Sequence, residues 1–151
     1  MKKITRVICV LMCSVLAFSL SACGVSEKDV TYVEDGFTDE TSGSDAELLK
    51  NYDELSDYIA NTNMSEEMHA KLSAYTKDFF NNNMLVVICH WDDKGASFVE
   101  VDDVDYEGNW AHVELDRRTS DAANTGTLKN WGIIVEIKKD DNLTSASYSI
   151  E

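Results

Sequence analysis

The 151-residue chain has no proline and only seven glycines. No part of it can be a proline-stiffened spacer or a PxxP recognition helix. Nor is there a glycine-rich loop that could cradle phosphates, or a G-x-S-x-G elbow that could raise a nucleophilic serine. Cations are scarce: 13 Lys and Arg stand against 28 Asp and Glu, a formal net charge of −15. A chain of that sign is repelled by phosphate backbones and anionic headgroups, which argues against nucleic-acid partners and charge-driven membrane binding. Cysteine is sparse too, with Cys9, Cys13, Cys23 and Cys89 making up all four.

What is present first is an address. Lys2, Lys3 and Arg6 precede an apolar stretch that runs from Val7 to Leu20 and closes on Leu20-Ser21-Ala22-Cys23. Basic start, short apolar run and small closing residues predict a secretory signal peptide over residues 1–22. The run is too short for a comfortable membrane-spanning helix. The closing four residues resemble the bacterial lipobox. That resemblance implies lipidation of Cys23, membrane attachment through its acyl chains, and a place on the extracytoplasmic face of the cell membrane. Each buried methylene of such a chain contributes about 0.8 kcal/mol. Cys9 and Cys13 would leave with the signal, so only Cys89 would remain as a free thiol, and no disulfide framework is possible.

Residues 23–45 are acidic and rich in Ser, Thr, Gly and Asp, with no periodic apolar pattern, and read as a flexible tether. A single domain over residues 46–151 follows. Leu48, Tyr52, Leu55 and Ile59 share one helical face. A second helix starts after Ser65, a candidate N-cap, with Glu66 and Glu67 in its first turn and Met68, Leu72, Tyr75 and Phe79 on its inner face. The period then changes. Met84 to His90 is a continuous apolar run, fitting a strand covered on both faces. Asp92 to Gly95 reads as a turn. Alternating strands flank Glu107-Gly108-Asn109, then come Trp131 to Lys138 and Leu143 to Ile150. The expected class is α+β: two N-terminal helices packed on an antiparallel sheet of about five strands.

Candidate chemistry is thin. Asp103 to Glu114 almost spells a calcium loop, with Asp103, Asp105, Glu107, Gly108 and Glu114 at the expected spacing. Its flanks have period two, however, and Glu-Gly-Asn is hairpin-turn chemistry. A hairpin is expected, with Glu114 carried along its strand too far from Asp103 to share an ion. Cys89 and His90 are neighbours on a strand and point to opposite faces, so they cannot both meet one metal, with or without His112. Nothing near Cys89 would activate a thiolate. Ser145, Ser147 and Ser149 lie on one strand face, read as the solvent side. The expectation is no enzyme activity, no catalytic residue, no metal and no cofactor.

Arg117 to Asn130 is different. It is long for a connection between strands and gathers cations, hydroxyls and amides against an acidic background. Arg117, Arg118, Asn124, Thr125, Lys129 and the adjoining Trp131 are therefore the candidate binding residues, for a protein or peptide partner. Trp91, Trp110 and Trp131 each end a strand, and offer an alternative as a surface that stacks a glycan or other solute.

From Asn51 onward, "YDELSDYI", "YTKDFFNNNMLVVI" and "WGIIVEIKK" resemble small extracytoplasmic lipoproteins of Gram-positive gut bacteria. More distantly, the order resembles the C-terminal domain of PrcB-type protease-complex subunits. Gly95-Ala96-Ser97-Phe98 stands where that family has a glycine-glycine-aromatic step. The resemblance implies binding or stabilising another protein and carries no catalytic residues over.

Overall fold

The computed structural model describes residues 30–38, 45–92, 98–118 and 128–151. The signal segment, Cys23, Asn124 and Thr125 lie outside the described residues. Seven strands and two helices are present among those described: β1 (Val30–Glu34), β2 (Asp45–Leu49), α1 (Tyr52–Asn61), α2 (Glu66–Ser73), β3 (Asn83–Asp92), β4 (Phe98–Glu107), β5 (Trp110–Arg118), β6 (Lys129–Lys138) and β7 (Ser145–Ile150). They form a four-stranded sheet ordered β1-β6-β3-β2 and a three-stranded sheet ordered β4-β5-β7.

This overturns the expectation of two N-terminal helices on one antiparallel sheet of about five strands. The described residues are mostly β, in two sheets, and both helices follow the first two strands. The larger sheet is antiparallel throughout, whereas β5 and β7 pair in parallel. Two strands lie outside the expected set. Val30–Glu34, placed in the tether, pairs with β6, and Asp45–Leu49 pairs with β3. Leu48 thus belongs to a strand, and its helical spacing to Tyr52 is coincidental. The helix begins after Asn51, whose side chain accepts from the Glu54 N–H. Glu54 in turn accepts from the Lys50 N–H at 2.7 Å, closing a reciprocal cap. Ser65 caps α2 as its sequence position implied.

Period two explains the layers. Met84, Val86 and Ile88 of β3 point into the space between the sheets, with Ile133 and Val135 of β6 and Val113 and Leu115 of β5. Leu85, Val87 and Cys89 point the other way, against Leu55, Met68 and Leu72 of the helices. The central strand β3 is covered on both faces, which is why its sequence is an unbroken apolar run. The next two residues follow the same rule. His90 is buried, and Asp92, expected in a turn, ends the strand with no exposure.

A strap joins the layers. After β1, residues 35–38 cross to α2, where the Ser65 N–H donates to Gly36 O and the Thr38 N–H to Asn63 O. Asn130 of β6 clamps this strap from below. Its Oδ1 accepts from the Phe37 N–H at 2.8 Å and its Nδ2 donates to Phe37 O at 3.0 Å. Gly36 and Gly132 permit the close pass: a Cβ on Gly36 would lie 3.0 Å from Gly132 Cα and N.

Candidate functional site

Three regions gather polar groups. The first is the end of the sandwich where β3 and β5 finish and β6 begins, and it holds the described members of the expected binding segment. Arg117 does not face solvent. It lies on the inward face of β5 with Val113 and Leu115, and its Nε is 3.6 Å from Oδ1 of buried Asp92. His90 lies on the same inward face, its Nδ1 3.0 Å from the Tyr148 hydroxyl. Trp131, opposite His90 in the register, is only 4% exposed and packs edge-on against Phe98. Arg118 pairs outward with Glu100 at 2.7 Å, and Lys129 with Glu34 at 2.5 Å. Every cation described in the candidate segment is thus engaged within the chain, and Arg117 and Trp131 serve the interior. In this environment Asp92–Arg117 is a structural pair whose rupture would leave a buried charge.

The second region is the outer face of the smaller sheet, which carries the calcium-like stretch. It is a hairpin: β4, a turn at Gly108-Asn109 with Gly108 at φ 62°, then β5. The positive φ is the reason for glycine. One expectation is corrected. The register sets Asp105 opposite His112 and Asp103 opposite Glu114, so the hairpin brings Asp103 and Glu114 together instead of parting them. Even so, no group of three potential ligands close enough to hold a metal is found among the described residues. Asp103 spends one oxygen on the Val104 N–H at 2.8 Å. His112 is held between two hydroxyls, Nδ1 at 2.8 Å from Ser147 Oγ and Nε2 at 3.0 Å from Ser149 Oγ.

The tryptophans do not assemble. Trp91 and Trp131 occupy opposite faces of the larger sheet, since Trp91 pairs with Asn130 and His90 with Trp131. Trp110 stands alone at the hairpin, 46% exposed, beside Glu107 and Ser145 in the register.

The third region is the one that periodicity alone did not suggest. An open groove of about 560 Å³ runs along β2 beneath α1, lined by Glu47, Leu48, Lys50, Glu54, Asp57 and Tyr58, among others. A side pocket of about 140 Å³ continues from Glu47 and Tyr58 to Asp45, Phe37 and Cys89. Glu47, Glu54 and Asp57 thus line the groove, and Asp45 and Glu47 the side pocket. Among the described residues Lys50, in the groove, is the single cation of the two linings, and its Nζ donates to Leu143 O at 3.3 Å. Burial, with Asp45 and Glu54 close by, raises the Glu47 carboxyl above its ordinary range. Burial also pushes the Cys89 thiol up to about 11, the opposite of an activated nucleophile.

The floor of that groove is a strand edge. The Asp35 N–H donates to Asn130 O at 2.8 Å, so even-numbered residues of β6 turn their peptide groups to β1 and odd ones to β3. Carried through the registers, Cys89, Val87 and Leu85 bond to Asp45, Glu47 and Leu49. The peptide groups of Ala46 and Leu48 consequently turn outward. In agreement, the Ala46 N–H donates to Asp45 Oδ1 rather than to β3. The signal available in the sequence was the acid spacing Asp45, Glu47, Glu54 and Asp57, which becomes a site only once β2 is recognised as a strand.

Compared with protein-family models, curated proteins and solved structures, the chain matches none. The likeness to extracytoplasmic lipoproteins and to PrcB-type subunits therefore rests on the quoted sequence stretches alone.

Proposed function

We propose that this protein is a lipid-anchored, extracytoplasmic, non-enzymatic domain, attached through Cys23, that binds an extended cationic segment of a protein partner in the β2–α1 groove. The observation that carries the reading is the net negative charge of the groove and its side pocket, where Asp45, Glu47, Glu54 and Asp57 stand against one cation, Lys50, among the described residues. Its size suits a few residues of chain, within the usual range of about 300–1,000 Å³ for ligand clefts. Tyr58 offers an aromatic wall beside the acids, on which a Lys or Arg stem can lie. No helix among the described residues is long and apolar enough to cross a membrane; attachment in this reading comes from the lipid on Cys23.

The test is titration calorimetry with a Lys-Val alternating heptapeptide, acetylated and amidated. The double variant Glu47→Lys/Asp57→Lys should weaken binding about tenfold or more, since like charges replace two attractions of roughly 0.2–1 kcal/mol each. Equal affinity for both proteins would refute the reading. A second reading, glycan binding, is favoured by the exposed Trp110 ring beside Glu107 and the serine face of β7. It predicts quenching of Trp fluorescence by neutral oligosaccharides that disappears in Trp110→Ala.

A further inference from the structure

We infer that the partner segment joins the larger sheet as a short added strand on β2. This deepens the groove reading and rests on it. Among the described residues β2 ends its sheet, and β7, which runs beside it, makes no ladder pair with it. The peptide groups of Ala46 and Leu48 turn away from β3, and Leu48 lines the groove. Two of the donors on that side are already occupied: the Ala46 N–H by Asp45 Oδ1 at 2.8 Å, and the Lys50 N–H by Glu54 Oε2 at 2.7 Å. Between them stand the Leu48 N–H and the carbonyls of Ala46 and Leu48. An incoming extended chain can satisfy these three groups and no more, so the added ladder is two or three residues long, centred on Leu48.

The carboxylates explain both selectivity and restraint. Edge strands invite unwanted pairing, and flanking charge is a common defence. Here Asp45 and Glu54 close the ladder at either end, while Glu47 and Asp57 repel another acidic chain, including a second copy of this one. A segment bearing Lys or Arg at alternate positions reverses that repulsion. Its period of two sends one set of side chains towards Glu54, Asp57 and Tyr58 on the α1 side and the other towards Thr144. The occupant is therefore an extended, cation-alternating segment of a partner protein, recognised by backbone pairing plus side-chain charge.

The experiment uses the Lys-Val heptapeptide and two N-methylated versions, one methylated at the odd peptide nitrogens and one at the even. An added strand directs only one parity at β2. One methylated peptide should thus lose about tenfold or more in affinity while the other stays within about twofold, and exchange of the Leu48 amide should slow on binding. If both peptides bind as well as the parent, or both weaken equally with Leu48 exchange unchanged, strand addition is overturned and the groove reading survives. If the parent peptide fails to distinguish wild type from Glu47→Lys/Asp57→Lys, the groove reading falls and strand addition falls with it.

Discussion

Replacing Asn130 with alanine should unlatch the strap that ties β1 to α2. Asn130 is 5% exposed, and its amide makes both bonds to Phe37, accepting from the N–H at 2.8 Å and donating to the carbonyl at 3.0 Å. Phe37 itself is 2% exposed, so water cannot readily replace either bond. A buried donor or acceptor left unmade costs about 1–3 kcal/mol. Two such groups, partly relieved by local movement, give a loss of about 2–5 kcal/mol. For a domain of this size that lowers Tm by roughly 8–20 °C. Asn130→Asp separates the contributions, because it keeps an acceptor for the N–H but sets a carboxylate against the Phe37 carbonyl. Its loss should equal or exceed that of the alanine variant at neutral pH and shrink in acid, where a protonated carboxyl donates. Thermal unfolding followed by far-UV circular dichroism measures both. A drop of less than about 2 °C for Asn130→Ala would refute the clamp.

Gly36→Ala should destabilise by about 1–3 kcal/mol in denaturant titration, because its Cβ would meet the Gly132 backbone at 3.0 Å, where no side chain can swing aside. Cys89, buried and with its thiol pushed up to about 11, should resist a thiol-reactive disulfide reagent near neutral pH and react stoichiometrically once denatured. Glu47→Gln should raise stability at neutral pH by no more than a few tenths of a kcal/mol, because solvent screens the charge of this exposed side chain. Burial and the nearby acids raise the Glu47 carboxyl in the folded state, so its ionised form opposes folding. The advantage of Gln should fade as pH falls through that raised value and the native carboxyl takes up its proton. A variant no more stable than wild type at pH 7 would contradict this.

The helices, β3 and the hairpin were legible because their signals are local. Ser65 with Glu66 and Glu67, the doubly apolar run from Met84, and Gly108 in its turn each act within a few residues. Strands β1 and β2 were not, for a physical reason. "VTYVE" and "DAELL" are short and partly acidic, and each borders a tract of disorder-like composition. They are strands because Ile133–Val135 and Leu85–Cys89 offer them edges, and those edges lie far along the sequence. The second sheet was hidden in the same way, since only the register shows that β7 joins β5 in parallel instead of continuing from β6. Arg117 looked like a surface cation because its partner, Asp92, had been assigned to a turn. The groove was illegible for the same cause as β2.

One consequence of β1 concerns distance from the bilayer. With Val30 already paired to Val135, seven backbone steps separate it from Cys23. Fully extended, seven residues reach at most about 25 Å. If Cys23 carries the lipid, the domain is moored close in rather than standing off on a tether of more than twenty residues. Anionic headgroups would then push this acidic domain outward while its leash pulls inward. The two forces would limit how the domain can roll, and so which partners on the same membrane can reach the groove on β2, at the opposite edge of the same sheet.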